Sequence, residues 1–150
     1  MSKYQVAVLM SAIFLGLFYL VQPQLMLLLG LAVGLGLGSL IMVGDELFAY
    51  RWYTEQSQHF LITRSPLFWL SYVPLALFII TSSGSLIGQG MMVGIGWWLV
   101  WEMWQLCRDR AAFASRFLTQ VTRPFSMAEL QALPVIAGVL FLIVAFSVLR

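Results

Sequence analysis

The sequence predicts an all-α membrane protein: a bundle of five transmembrane helices with a cytoplasmic N-terminus, an outside C-terminus and one short amphipathic interfacial helix. Three observations predict it. Of the 150 residues, 61% are hydrophobic and only 9% are charged, whereas soluble domains carry about 25% charged residues. Five apolar stretches, at about 4–21, 24–43, 67–87, 88–107 and 127–149, approach or exceed the ~20 residues needed to cross a ~30 Å hydrocarbon core. Finally, five spans place Lys3, Arg51, Arg64, Arg108, Arg110, Arg116 and Arg123 on one side and leave only Arg150 on the other. Lysine and arginine are retained in the cytoplasm during insertion, which sets the orientation. Almost nothing is left over for a soluble domain, so residues 1–150 read as a single transmembrane domain in a multi-pass protein of a cell membrane, on the pattern of a bacterial inner membrane.

The first span follows Lys3 and is too long for a secretory leader. Gln22-Pro23-Gln24 follows it in place of a small-residue cleavage site, so it reads as an uncleaved anchor. Span 2 carries Gly30, Gly34 and Gly38 at four-residue intervals, one turn apart on one face. Without side chains there, another helix approaches closely. That helix is either a neighbour in the same bundle, span 1 or span 3, or a partner's. The loop after Gly44 opens with Asp45-Glu46 and an aromatic run ending Arg51-Trp52-Tyr53, the composition of a headgroup anchor. Span 2 is expected to continue as helix to around Gln58.

Ser65 suits a helix cap and Pro66 a first helical position, where no N–H is needed. Pro74 in span 3 predicts a kink. Residues 81–85 predict the outer turn. In the second loop, Phe113, Phe117 and Val121 repeat every four residues with Arg110 and Arg116 on or near the other flank, a helix lying in the inner interface. Arg108, Arg110 and Arg116 there favour anionic lipid headgroups. Ser126-Met127-Ala128-Glu129 fits a capping box at the start of span 5, and Pro134 is placed to bend that span near its inner end.

Apart from Glu129, which belongs to the capping box at the start of span 5, Glu102 is the only acid inside a span, roughly 9 Å along the helix from Arg108. Trp98, Glu102 and Gln105 share a face, and Trp97, Trp101 and Trp104 form the neighbouring one. An intramembrane acid is expensive and demands a reason. A carboxylate among indole faces suits an ion, a proton or an organic cation, with Glu102, Trp98, Trp101 and Gln105 as binding residues. The bland alternative pairs Glu102 with an arginine of the inner rim and makes the tryptophans an aromatic belt.

No nucleophile set, phosphate loop or metal-ligand spacing is present, so catalysis, a metal and a cofactor are not expected. His59, with Glu55 four residues earlier and Asp45 and Glu46 upstream, makes no known ligand pattern. Cys107 stands alone and forms no intrachain disulfide; an interfacial cysteine is a small hydrophobe or, in a eukaryote, a palmitoylation site. A net charge of +2 is too small to imply nucleic acid. The expected function is therefore that of a non-enzymatic accessory or assembly subunit, packing against another membrane protein or itself through the span 2 glycines; Gly34→Leu is expected to disrupt that assembly while leaving insertion intact. The alternative is a small transporter or channel that uses Glu102.

Overall fold

The computed structural model describes residues 3–52, 61–118, 121, 123 and 125–150. It is helical throughout, without a strand among the described residues: α1 (Lys3–Val21), α2 (Leu25–Trp52), a 3₁₀ turn (Ile62–Arg64), α3 (Pro66–Ser82), α4 (Leu86–Leu106), α5 (Arg110–Phe117) and α6 (Met127–Leu149). Three helices are long and apolar enough to cross a membrane, at Tyr4–Val21, Leu25–Phe48 and Met127–Leu149, where five were expected. The other two fall short for different reasons. α3 is apolar but has only 17 residues, because it ends at Ser82 and not near 87. α4 has 21 residues, but its glycines, Gln89, Glu102 and tryptophans dilute its hydropathy. It is also the helix with most residues buried, from Gly90 to Met103. A helix whose surface meets protein on most sides has no need to be as apolar as one facing lipid.

The caps explain the boundaries. The Ser65 hydroxyl accepts from the Phe68 N–H at 3.2 Å, and Pro66 takes the first helical position, as expected. The turn between α3 and α4 contains Gly84 at φ +58°, a left-handed conformation that costs glycine little. Ser85 then caps α4, accepting from Gly88 N–H. At α6 the capping box is complete: Ser126 Oγ accepts from Glu129 N–H at 3.2 Å, and Glu129 Oε2 accepts from Ser126 N–H at 2.7 Å. Pro74 and Pro134 both lie inside continuous helices. Helix α2 runs beyond residue 43 to Trp52; the expected extension to Gln58 lies outside the described residues.

The dominant helix pair is α2 with α4. A Cβ added to Gly34 would fall on the Ile87 carbonyl, 2.9 Å from Met91 N. One at Gly38 would fall on the Met91 carbonyl, 3.1 Å from Ile95 N. Helix α4 answers with its own glycines, since a Cβ at Gly90 would fall on the Leu31 carbonyl and one at Gly94 would lie 2.8 Å from Leu35 O. Gly30 is looser, with Leu86 Cβ at 3.5 Å. These contacts advance in the same direction along both helices, so α2 and α4 run parallel with α3 returning between them. The glycine face of α2 is thus spent inside the chain, on α4 rather than on α1 or α3, the neighbours expected.

Helix α5 departs from its expected setting. Asp109 caps it, accepting from Ala111 N–H at 3.0 Å and Ala112 N–H at 3.1 Å. Its apolar face does not lie on lipid. Phe113 and Phe117 are fully buried, in one cluster with Met42, Met103, Cys107 and Leu130. Side chains of α2, α4 and α6 pack on α5, so protein covers this face. Val121, expected to extend it, is exposed. The outward sides of α1, α2, α3 and α6 are covered by exposed leucine, isoleucine, valine and phenylalanine, the surface that a lipid solvent requires.

Close backbone approach predicts an asymmetry between glycines. Gly34→Ala should lower stability by about 1–3 kcal/mol, the usual cost of overpacking. Gly36→Ala, where an added Cβ meets nothing within 4 Å, should be neutral or slightly stabilising through helix propensity. Thermal unfolding in detergent compares the two; equal effects would contradict the α2–α4 packing. Gly34→Leu accordingly strikes the protein's own bundle before any assembly.

A candidate site of alternating charges at one end of the bundle

The C-terminal parts of α2 and α4, the 3₁₀ turn and α5 bring five charged side chains together. Arg64 is fully buried. Its Nε donates to Glu102 Oε2 at 2.9 Å, and Nη1 donates to the Met42 carbonyl at 3.1 Å and to Thr63 Oγ1 at 3.0 Å. Nη1 also lies 3.6 Å from Asp45 Oδ2, and Nη2 lies 3.8 Å from Glu46 Oε2. Arg116 closes the circuit: its Nε donates to Glu102 Oε1, and its Nη2 donates to Glu46 Oε1 at 3.0 Å. The order Arg64–Glu102–Arg116–Glu46 and back to Arg64 is a ring of alternating sign, with Asp45 appended. Asp45 also accepts from Thr63 N–H at 2.9 Å, which holds the 3₁₀ turn against α2.

Each Glu102 oxygen therefore accepts from a different guanidinium, the arrangement the bland reading expects. Burial pulls the Arg116 guanidinium down, while Glu102 and then Glu46 push it up; the net direction is upward. Chemically the ring is a tie.

The four residues singled out in the sequence share one place. Trp98, Trp101, Glu102 and Gln105, with Glu46 and Arg116, line a cavity of about 200 Å³. Trp98 is buried and its ring meets Tyr4 of α1 edge-on, with centroids 6.0 Å apart. The indole nitrogens of Trp98 and Trp101 are buried without a hydrogen-bond partner among the described residues. Two polar groups of α3 do not converge on Glu102. Ser71 donates to Phe68 O within its own helix, and Tyr72 donates to Met92 O at 2.8 Å across α4.

Of the basic residues expected at headgroups, Arg116 is turned inward to the ring, while Arg108 and Arg110 are exposed. Arg123 pairs with Glu129 at 2.8 Å. His59 and Glu55 lie outside the described residues, and no group of three or more histidine, cysteine or acidic side chains is placed to hold a metal among those described. Cys107 is buried and its thiol donates to Trp104 O at 3.1 Å.

The sequence reading missed the convergence of Asp45, Glu46 and Arg64. The available signal was an acidic pair at the end of span 2 and an arginine just before span 3, on the side where Glu102 and Arg116 also lie. Comparison with family models, with curated proteins and with solved structures finds no match.

Removing one member of a buried ionic network leaves its partners uncompensated. Arg64→Met is predicted to cost about 3–5 kcal/mol. Arg64→Lys should recover only part of this, because a single ammonium cannot reproduce a fork that bonds several acceptors at once. Unfolding in detergent measures both; an Arg64→Met variant as stable as the parent would remove the ring from the account.

Proposed function

We propose that the chain is a five-span integral membrane protein, N-terminus on the cytoplasmic side and C-terminus outside, acting as a non-enzymatic accessory or assembly subunit. The observation that carries this reading is the internal balance of its polar groups. Arg64, Arg116, Asp45, Glu46 and Glu102 pair with one another, leaving only Nη2 of Arg64 among their buried polar atoms without a hydrogen bond to the described residues, and the exterior is apolar on α1, α2, α3 and α6. Such a molecule offers other membrane proteins a rigid apolar surface.

Several features support the five spans. Helices α2 and α4 run parallel, as spans 2 and 4 must. Helix α3 at 17 residues rises about 25.5 Å, close to the hydrocarbon thickness of a thin bilayer. The charged ring also gathers the ends of both basic loops on one side.

With the Gly34 face occupied by α4, the surface left on α2 for a partner or a second copy is its outward side, where Leu29, Val33, Leu37 and Leu40 are exposed. Photocrosslinkers at Val33 and Leu40, followed by mass spectrometry of material solubilised in mild detergent from the native membrane, are expected to give one stoichiometric partner or a homodimer. A monomer free of crosslinks would overturn the subunit reading.

The second reading, a transporter or channel in which Glu102 binds an ion, a proton or a cation, is favoured by one observation: Trp98, Trp101, Glu102 and Gln105 line a single cavity. Glu102→Gln would then abolish flux or ligand binding in a folded protein.

Topology has its own test. In a Cys107→Ala background, Ser83→Cys is expected to react with an impermeant thiol reagent in intact cells. Arg110→Cys should react only after permeabilisation. The reverse pattern would invert the orientation, and labelling of both in intact cells would break the five-span count.

A further inference from the structure

The rim cavity does not stand alone. A second opening, an apolar groove of about 210 Å³, lies between α1, α2, α4 and α6, with Phe14, Leu35, Val93, Trp97, Phe141 and Leu142 among its walls. The two adjoin. Trp97 in the groove wall stacks on Trp101 in the cavity wall, with centroids 6.4 Å apart and planes at 23°. Helix α1 borders both, through Tyr4 on Trp98 and through Ala7 to Leu17 along the groove. From Glu102 to Val93 is nine residues, about 13.5 Å along α4. The site is therefore polar and charged at one end and apolar at the other, with indoles between.

We propose that this combined site holds one phospholipid with a primary-amine headgroup, its ammonium against Glu102 and Glu46, its phosphate against Arg116 and an acyl chain in the groove. The polar wall carries both signs within one cavity, which complements a zwitterion better than a headgroup with a phosphate alone. An ionised carboxylate has about four lone-pair positions, and the Arg64 and Arg116 Nε bonds take one on each Glu102 oxygen. The indole faces of Trp98 and Trp101 add cation–π attraction for an ammonium. The orientation proposed above would place this lipid in the inner leaflet, and nothing else in the proposal rests on it.

The test is native mass spectrometry of the full chain, delipidated in mild detergent and titrated separately with phosphatidylethanolamine, phosphatidylglycerol and phosphatidylcholine of identical acyl chains. One phosphatidylethanolamine is expected to be retained at least about fivefold more strongly than either of the others, the ratio given by roughly 1 kcal/mol of N–H hydrogen bonding from the primary ammonium to the carboxylates, which a quaternary ammonium cannot form. Two variants at exposed positions address the two ends without removing a member of the ring. Gln105→Trp fills the polar cavity and Leu142→Trp narrows the groove; each is expected to abolish the preferential retention while thermal unfolding stays at the parent value. Equal retention of the three lipids, or a preference for phosphatidylglycerol, overturns the amine assignment. Retention unchanged in both variants assigns the lipid to the general annulus and overturns the site. The assay reads lipid on the purified chain, whether monomer or dimer, so failure of the assembly reading shows separately in the crosslinking result.

Discussion

A guanidinium with no access to solvent needs compensation from its surroundings, and Arg64 is such a group. Burying an ion costs several kcal/mol unless charge and hydrogen bonds repay it. Here the repayment comes from α2 through Asp45, Glu46 and the Met42 carbonyl, and from α4 through Glu102. Arg64 precedes the cap of α3 by one residue, so pinning its head group also fixes where α3 begins. Arg116 then ties α5 to the same carboxylates. Four elements that touch only partly through apolar contact at this end are held in one arrangement by charge.

The other half of the bundle is held by the opposite device. Gly34 and Gly38 on α2 and Gly90 and Gly94 on α4 bring two backbones into direct contact. Lipid-exposed helices gain little from the hydrophobic effect against each other, so packing at close range has to supply the attraction. The parallel course of these two helices places Glu46 opposite Glu102, and two acids at that spacing require the arginines between them. The glycine register therefore sets the geometry in which the charge ring is needed.

Much of the element map was legible in the sequence because its signals are local. Apolar length marked α1, α2 and α6. Ser65-Pro66 and Ser126 to Glu129 marked helix starts with side chains that bond their own backbone. The clustering of Trp98, Trp101, Glu102 and Gln105 was legible for the same reason, since all four lie on one helix. What escaped was long-range. Arg64 meets Glu102 across 38 residues and Arg116 meets Glu46 across 70, separations over which no periodicity operates. The glycine partner was readable in part: Gly90 and Gly94 repeat the four-residue spacing of Gly34 and Gly38 on the other long glycine-bearing helix. Helix α5 misled because Phe113 and Phe117 at helical spacing suit a lipid surface or a protein core equally, and only the neighbouring helix ends decide between them.

Glu102 is a structural tie shared by two arginines. A double-mutant cycle on Glu102→Gln and Arg116→Gln, read by reversible unfolding in detergent, tests it most directly. Direct coupling predicts an interaction energy of at least about 1 kcal/mol, within the range for residues of one ionic network. Effects that add within about 0.5 kcal/mol, the behaviour of independent sites, would contradict it.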